Sequence, residues 1–272
     1  MNLIIKARKK EGLQHIVMKG KTPLKYIELD ILTLEKPGKF SIDTGDQEWV
    51  GIIFGGRCSI ESREFEWPNI GERVDVFSGR ATGFYLPCRT KAVLTTKGDF
   101  SLGIARSASK KEAKPVLVRP NEVRVRVFGA YNWRREVHDV IGLGVEAERL
   151  VVGETFNPPG KWSSWPPHRH EKDDLPYEAE MEEVYHFKIH PPQGFGFQRV
   201  YTDDRSLDEA YVLEDGDTVV IPRGYHPIAA TPGYQLYYLW VLAGKKRILK
   251  PKDDPAHAWV KACEPIIRDL EK

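Results

Sequence analysis

Hydrophobic residues along this chain recur mainly at every second position or in short runs of Val, Ile and aromatic residues. Clear examples are the segments 49–54, 123–127, 218–221 and 236–241. Alternation places apolar side chains on one face of a strand, and Gly, Pro and Asp interrupt these runs about every ten residues. The pattern therefore predicts an all-β protein organised as sandwiches or barrels.

The last residues of the chain have a different period. Apolar side chains within 256–270 recur at helical spacing, at Trp259, Ala262, Ile266, Ile267 and Leu270. Such spacing gives a helix one apolar face. We therefore expect a short C-terminal helix after the strands.

The chain also repeats itself weakly, with an offset of 135 residues. Residues 83–92 resemble residues 218–227, and residues 98–105 then resemble residues 233–240 without a gap. Both copies have the pattern of a strand that ends at a proline, a short turn, a second strand, a glycine and a third strand. A repeat of this length indicates two copies of one β domain.

A polar segment with two prolines, residues 107–120, lies between the two copies and suits a connection. We therefore expect an N-terminal domain at residues 1–115 and a C-terminal domain at residues 116–272. The total of 272 residues is long enough for two such domains, each with its own core.

Composition narrows the class of protein. Hydrophobic residues make up 41% of the chain, which is too much for a disordered protein. The 41 Lys and Arg residues nearly balance the 39 Asp and Glu residues. Because the sequence has neither a basic stripe nor a DNA-binding motif, we expect no nucleic-acid partner.

The cysteines and the apolar stretches indicate the compartment. Cys58, Cys88 and Cys263 form no CxxC pair and are odd in number, which is typical of a reducing compartment. The first residues lack the apolar core of a signal peptide. Prolines interrupt the uncharged stretch between Arg223 and Lys245, so it predicts a turn and a buried strand. We expect a cytoplasmic protein with no membrane segment.

The strongest chemical signal is a group of three histidines and a carboxylate. His168 and His170 are two residues apart, so both imidazoles of a strand would point to the same face. An acidic segment follows, and Pro222 and Gly224 then precede His226. Three imidazoles and one carboxylate suit a borderline divalent ion such as zinc, manganese, iron, cobalt or nickel.

The sequence leaves the identity of the carboxylate open between Glu180, Glu182 and Glu183. Alternation favours Glu183, because it shares a face with Tyr185 while His186 points the other way. We therefore expect Glu183 to be the fourth ligand.

The first copy of the repeat lacks these ligands. Lys91 stands at the position equivalent to His226, and no His-x-His precedes it. We expect one metal site, in the second half of the chain, and a degenerate first domain.

These residues resemble the two signature motifs of the cupin superfamily. The second motif is matched by Gly216, Asp217, Pro222, Gly224 and His226, with one residue instead of the usual two between the last pair. The first motif is longer than usual, because twelve residues instead of three or four separate His170 from Glu183.

Longer segments resemble the two-cupin uronate isomerases, and among them the 5-deoxy-glucuronate isomerases of inositol catabolism. These segments are 131–140, 151–156, 162–170, 191–209 and 222–227, and the resemblance spans roughly residues 20–250. It implies a bicupin, in which two jelly-roll barrels precede the short C-terminal helix and only the second barrel binds metal. It also implies a homodimer or a larger homo-oligomer.

The resemblance implies an aldose–ketose isomerase that converts 5-deoxy-D-glucuronate into 5-dehydro-2-deoxy-D-gluconate. One divalent ion, zinc in the first place, would stabilise an enediolate and would be held by His168, His170, Glu183 and His226. We expect catalysis to involve Glu183, Lys188 and Tyr201. The general base stays open among Glu180, Glu182, Lys188 and Tyr201, and a metal-assisted hydride shift needs none.

A uronate substrate also needs a group that recognises its carboxylate. We expect this group to be Arg199 or Arg223, because a guanidinium offers two parallel donors to a carboxylate. Trp162 and Trp165 directly precede the histidines, and we expect them to line the substrate pocket.

Three other functions stay open at this point. The 5-keto-4-deoxyuronate isomerases of pectin breakdown share the architecture, but they normally have a compact first motif, so the insertion favours the inositol enzyme. An iron oxygenase also uses a His-rich site with open positions. A non-enzymatic sugar-binding cupin would bind its ligand without turnover.

Overall fold

The computed structural model describes residues 2–8 and 10–270. The first half contributes β1 (Ile4–Ile5), β2 (Gly12–Val17), β3 (Glu28–Leu34), β4 (Gly38–Asp43), β5 (Gln47–Ser62), β6 (Glu66–Ile70), β7 (Gly83–Leu86), β8 (Lys91–Ala108) and β9 (Val116–Val118). The second half contributes β10 (Arg124–Phe128), β11 (Arg135–Ile141), β12 (Val151–Asn157), β13 (Trp162–Ser163), β14 (His168–Arg169), β15 (Glu182–His190), β16 (Gly196–Tyr201), β17 (Asp208–Leu213), β18 (Thr218–Ile221), β19 (Ile228–Ala230), β20 (Gln235–Ala243), β21 (Lys252–Asp253) and the helix α1 (Trp259–Leu270). Strands account for 49% of the chain, which confirms the all-β class.

The first half forms one sheet of eight strands. Its central path runs β2-β3-β8-β5-β7-β9, while β4 pairs with β8 and β6 pairs with β5. The register of β5 against β8 shifts between Ile53 and Gly55 and again between Gly56 and Cys58. Bulges of this kind bend a strand and increase its twist. The bent sheet surrounds an apolar core of its own.

The second half has two main sheets that share one core. Seven strands follow the order β1-β18-β15-β20-β12-β11-β10, and four strands follow the order β13-β19-β16-β17. Alternation on β15 and β20 turns Glu183, Tyr185 and Tyr238 towards the inside of this barrel. The inside of the second barrel is where the predicted ligands lie.

The two halves pack against each other through the outer face of the seven-stranded sheet. Phe54 of β5 stacks on His186 of β15 at 5.7 Å between ring centroids and meets Tyr237 of β20 edge-on at 6.2 Å. Every residue of β20 after Gln235 is buried, because one face points into the barrel and the other contacts the first domain. A strand buried on both faces has a continuous apolar sequence, as β20 has.

Buried carboxylates reinforce this contact between the halves. Glu182 of β15 accepts the backbone N–H groups of three consecutive residues of the first half, Lys25, Tyr26 and Ile27, at 2.6–2.8 Å. In the opposite direction, Glu48 of β5 accepts three consecutive backbone N–H groups of residues 148–150. Each carboxylate is satisfied by several donors, as burial of a charge requires.

Strand pairing divides the chain differently from the expected boundary between residues 115 and 116. Strand β9, at Val116–Val118, still pairs with β7 of the first sheet. Strand β1 crosses to the other half and pairs with β18, with Ile4 opposite Val219. The sheets therefore change over at residues 119–123, and the first strand of the chain belongs to the second barrel.

The expected C-terminal helix is present as α1, three residues shorter at its start than the predicted span. Val260 and Ile267 on its apolar face pack against Trp133 and Trp165. Arg268 Nη2 donates to the Gly129 carbonyl at 3.1 Å, which fixes the other end. Within the described residues, no helix combines the length and the apolar character that a membrane span requires.

Candidate metal centre

The segment that carries the first two histidines is held from its far side. His168 and Arg169 form β14, which pairs with β21. The buried guanidinium of Arg169 points away from the histidines, where it forms ion pairs with Glu178 and Asp203. The two imidazoles that flank Arg169 consequently face the barrel, as the His-x-His spacing predicts.

A tight turn delivers the third histidine. Gly224 has a φ of +90°, and a Cβ at this position would lie 2.6 Å from the carbonyl oxygen of Tyr201. The backbone of Tyr225 pairs with that of Tyr201 in both directions, at 2.7 and 2.9 Å. Only glycine permits this close approach, and the turn then directs the fully buried His226 into the barrel.

The three imidazoles and one carboxylate converge on a common point. Ligand nitrogens of His168, His170 and His226 all lie within 4.8 Å of one another. Glu183 Oε2 lies 3.1 Å from His170 Nε2 and 3.2 Å from His226 Nε2. Sequence positions 168, 170, 183 and 226 are thus brought together as predicted.

The hydrogen bonds of the rings define which nitrogen faces the centre. His170 Nδ1 lies 2.5 Å from the Met181 carbonyl, and His226 Nδ1 lies 2.9 Å from the Gly224 carbonyl. A carbonyl only accepts hydrogen bonds, so each Nδ1 carries a proton, and in the neutral ring each Nε2 presents a lone pair. Both lone pairs face a carboxylate oxygen, which is also an acceptor.

This arrangement of acceptors fits a divalent cation. His226 Nε2 is buried and has no hydrogen-bond partner among the described residues. A cation bound by His168, His170, Glu183 and His226 satisfies this nitrogen and removes the repulsion between the lone pairs and the carboxylate. Three imidazoles and one carboxylate are a ligand set suited to a borderline divalent metal.

The ionisation of Glu183 and His168 also suits a metal. Burial tends to raise the pKa of Glu183, but the adjacent rings of His170 and His226 outweigh it and lower the pKa to about 2. Burial and the neighbouring rings of His226 and His170 hold the pKa of His168 well below its usual value. The carboxylate is therefore ionised and His168 is neutral at pH 7, which are the forms that bind metal.

A cavity of about 370 Å³ is lined by three of the four side chains, those of His168, His170 and Glu183. Part of its wall is aromatic, formed by Phe128, Trp165, Tyr185, Tyr238 and Trp240. Cationic and acidic side chains also face it, namely Arg126, Arg135, Lys261, Asp253 and Glu264, the last three near or on α1. The cavity is polar at defined points and large enough for a small sugar acid.

Two tyrosine hydroxyls of this wall have defined partners. The Tyr238 hydroxyl lies 2.6 Å from Ser163 Oγ, and the Tyr185 hydroxyl lies 3.3 Å from Ser164 Oγ. Burial raises the pKa of both tyrosines. Both hydroxyls consequently stay protonated at neutral pH and can donate hydrogen bonds into the cavity.

The structure shows which of the three glutamates faces the histidines and which of the two tryptophans lines the cavity. Glu180 is exposed, and Glu182 points to the first domain, so of the three glutamates only Glu183 faces the histidines. Trp165 lines the cavity. Trp162 is 40% exposed and contacts Trp165 from outside the cavity, at 5.1 Å between ring centroids.

The two arginines expected to bind a carboxylate lie elsewhere. Arg199 is exposed on β16 and forms an ion pair with Asp208 at 2.7 Å. Arg223 is exposed and lies 3.3 Å from Ser206 Oγ. Neither lines the cavity, because on β16 it is Gln198 that turns inward and the turn before His226 carries Arg223 on its outer side.

The remaining expected catalytic residues also lie outside the cavity. Lys188 is on the outer face of β15, 3.8 Å from Asp215, because the even-numbered residues of this strand point away from the barrel. The buried hydroxyl of Tyr201 donates to Asp254 at 2.7 Å and so has a structural partner.

In the first half, Lys91, which stands at the position equivalent to His226, is exposed and pairs with Asp43 at 3.4 Å.

Sequence reasoning missed several groups that line the cavity, chiefly Arg135, Tyr185 and Tyr238. For Tyr185 a signal was present, because alternation placed it on the face of Glu183. Arg135 begins an alternating strand with Val137, which also faces the cavity, but nothing local indicates that this strand lies beside the histidines.

Comparison with known proteins places the chain in a family. The model of the KduI/IolB family matches residues 3–260. The 5-deoxy-glucuronate isomerase of Geobacillus kaustophilus is 39% identical over 248 residues, which cover 91% of this chain and 90% of that protein. The enzyme of the same name from Bacillus subtilis strain 168 is 34% identical over 250 residues, which cover 91% and 92%.

Solved structures agree with this relationship. An IolB-like protein from Salmonella typhimurium LT2 superposes with a TM-score of 0.93 at 33% identity, covering 96% of this chain and all of that one. The oxalate decarboxylase of Lactobacillus farciminis, a cupin, superposes with a TM-score of 0.68 over the whole of this chain and 94% of its own. At 11% identity that second likeness shows the bicupin fold alone. By sequence and by structure, this chain belongs to the KduI/IolB family.

Proposed function

We propose that this protein is an aldose–ketose isomerase that converts open-chain 5-deoxy-D-glucuronate into 5-dehydro-2-deoxy-D-gluconate, a step of inositol catabolism. Its relatives from Geobacillus kaustophilus and Bacillus subtilis are 5-deoxy-glucuronate isomerases, which supports this substrate. The observation that carries the proposal is the buried group His168, His170, Glu183 and His226 beside a cavity of about 370 Å³.

The reaction moves a proton between two adjacent carbons and needs stabilisation of the charge that develops on the carbonyl oxygen. A divalent ion at the four side chains supplies Lewis acidity, which is worth several kcal/mol for such a charge. The backbone carbonyls of Met181 and Gly224 fix the orientation of His170 and His226. These contacts hold the donor atoms in place before the substrate arrives.

The cavity wall supplies further groups for binding and proton transfer. Tyr185 and Tyr238 donate hydrogen bonds to oxygen atoms of the sugar, since burial keeps both hydroxyls protonated. The carboxylates that face the cavity beside Glu183 are Asp253 and Glu264, paired with Lys261 and Arg268 at 2.7 Å. These two replace the outward-facing Lys188 and Tyr201 as candidates for the general base.

We propose zinc as the resident ion, ahead of manganese, iron, cobalt and nickel. Imidazole-rich sites suit zinc, and an aldose–ketose isomerisation needs no change of oxidation state at the metal. The three free cysteines agree with a reducing compartment, so we place the enzyme in the cytoplasm. By resemblance to its family, we propose a homodimer or larger homo-oligomer.

The experiment that tests the function follows the carbons of 5-deoxy-glucuronate by NMR during incubation with metal-loaded protein in D₂O. Conversion with deuterium at the carbon next to the new carbonyl supports an isomerase that uses a base. Conversion without deuterium supports an isomerase that shifts hydride or shields its proton. Protein treated with a chelator serves as the control and should be inactive.

Other outcomes of this experiment contradict the proposal. Turnover of 5-keto-4-deoxyuronate in place of 5-deoxy-glucuronate would assign the protein to pectin breakdown. Oxygen uptake that requires iron would indicate an oxygenase. Tight binding of the sugar acid without any product would indicate a binding protein.

A further inference from the structure

Arg135 is the first residue of β11, and its side chain lines the cavity together with that of Val137. Its Nη1 donates to the carbonyl oxygens of Trp133 at 3.2 Å and Trp165 at 3.0 Å. Its guanidinium carbon lies 5.6 Å from the centre of the Phe128 ring. These three contacts restrain the guanidinium and leave Nε and Nη2 without a hydrogen bond to any described residue.

The charge of Arg135 has no ion-pair partner among the described residues, unlike the other cations of the cavity wall. Arg126 pairs with Asp139 at 2.6 Å and Lys261 pairs with Asp253 at 2.7 Å. In contrast, none of the carboxylates in the described residues lies within ion-pair distance of Arg135, and its Nε and Nη2 donate to no acceptor there. A guanidinium remains charged at any physiological pH. Arg135 is therefore a restrained cation that faces the cavity and forms no ion pair with the carboxylates of Glu183, Asp253 and Glu264, which line the same cavity.

An unpaired charge in a partly desolvated position is unfavourable unless a ligand neutralises it. The fork formed by Nε and Nη2 matches the two oxygens of a carboxylate. The neutral carbonyl contacts at Nη1 do not compete for this fork. The cavity thus offers a site for carbonyl and hydroxyl oxygens at the end lined by His168, His170 and Glu183, and a site for a carboxylate at Arg135.

We propose that Arg135 binds the carboxylate of the substrate and makes the enzyme selective for uronates over neutral aldoses. This assignment rests on the proposed function and takes over the role first expected of Arg199 and Arg223. A sugar acid bound at both ends has its first two carbons held beside the metal ligands. Selectivity arises because a hydroxymethyl group in place of the carboxylate leaves the guanidinium unneutralised.

The test compares two substrates and three variants. The substrates are 5-deoxy-glucuronate and 5-deoxy-glucose, its neutral counterpart with a hydroxymethyl group in place of the carboxylate. The variants are Arg135→Gln, Arg135→Lys and the matched control Arg134→Gln, which changes the exposed neighbouring arginine. Thermal melting of each variant shows whether it is folded, and the Gln side chain retains a donor for the two carbonyls.

We expect Arg135→Gln to lower kcat/KM for the uronate about 10- to 100-fold, mainly through KM, because charged hydrogen bonds are lost. Arg135→Lys should recover part of this loss, since it restores charge but not the fork. For the neutral sugar, kcat/KM should change by no more than about twofold. Equal losses for both sugars would overturn the assignment and leave Arg135 a purely structural role.

A binding measurement separates this inference from the proposed function. Calorimetry with D-glucuronate and D-glucose as probes needs no turnover. Wild-type protein and Arg134→Gln should bind D-glucuronate more tightly than D-glucose, and Arg135→Gln should lose this preference. If the wild type fails to isomerise 5-deoxy-glucuronate but shows this pattern, the function is wrong and the carboxylate site stands. If Arg135→Gln keeps the preference, the carboxylate site is wrong.

Discussion

His170 and Met181 are joined by two reciprocal hydrogen bonds: the Met181 N–H donates to the His170 carbonyl at 2.8 Å, and His170 Nδ1 donates to the Met181 carbonyl at 2.5 Å. This pair closes the long segment between the second histidine and Glu183. Residues 171–180 form an excursion outside the pair, so the distance between the ligands does not depend on the length of the segment. A first motif with twelve intervening residues therefore produces a compact site.

The segment that carries His168 and His170 is positioned by Arg169, whose buried charge pairs with Glu178 and Asp203. We expect Arg169→Ala to weaken metal binding about 10- to 100-fold, because it frees the strand that orients His168 and His170. It should also lower the free energy of unfolding by about 3–5 kcal/mol, since the buried Glu178 loses its cationic partner. Metal titration and chemical denaturation measure the two effects, with the exposed Arg223→Ala as control. Unchanged metal affinity in a folded Arg169→Ala variant would refute the positioning role.

Tyr185 shares the face of Glu183 on β15, and its ring lies 5.7 Å from that of His226. Its buried hydroxyl stays protonated and can donate to the oxygen on which charge develops. We expect Tyr185→Phe to lower kcat about 10- to 100-fold without changing the metal content, since it removes one such donor. Steady-state kinetics and elemental analysis check this, with the exposed Tyr177→Phe as control. A variant with wild-type kcat would exclude the hydroxyl from the reaction.

The two exposed arginines provide a test of the corrected assignment. Arg199 is paired with Asp208, and Arg223 lies on the outer side of its turn. We expect Arg199→Gln and Arg223→Gln each to leave kcat/KM for the uronate within about twofold of wild type, as for surface substitutions. A tenfold loss in either variant would restore that arginine to the carboxylate site.

Stability should depend on pH through His186, which packs between the two halves. Burial and the charge of Lys188 lower its pKa from 6.5 to about 3. The unfolded chain therefore takes up a proton here at a higher pH than the folded chain does, so stability falls as the pH drops from 6.5 towards 3. Between pH 6.5 and pH 5 this ring accounts for about 2 kcal/mol.

Denaturation of wild type and His186→Gln at pH 6.5 and pH 5 isolates this contribution. The variant should lose about 2 kcal/mol less than wild type over this interval. The comparison between the two proteins cancels the other titrating groups. Equal pH dependence in both would show that His186 is not the group responsible.

Local sequence pattern accounts for the ligands and for the fold class. Spacing and alternation are properties of a single strand, so they identify His168, His170 and Glu183 as residues that share a direction. The glycine turn before His226 is equally local. Each of these patterns predicts the structure correctly because the backbone geometry that it depends on spans only a few residues.

The residues that sequence reasoning misplaced depend on longer-range packing. Alternation indicates which side chains share a face, but it does not say which face of β16 is inside, and so it does not reveal that Arg199 points away from the cavity. Arg135 lies 33 positions before His168 and reaches the cavity only through the pairing of β11 with β12. The exchange of β1 into the second barrel likewise has no local signature.

The central claim is that His168, His170, Glu183 and His226 hold the metal on which isomerisation depends. The most direct measurement determines metal content and 5-deoxy-glucuronate turnover together in wild type, in His168→Ala and in the exposed-histidine control His190→Ala. We predict about one divalent ion per chain and full turnover in wild type and the control, as a single four-ligand site requires, with both lost in His168→Ala. A His168→Ala protein that isomerises 5-deoxy-glucuronate at the wild-type rate would contradict the account.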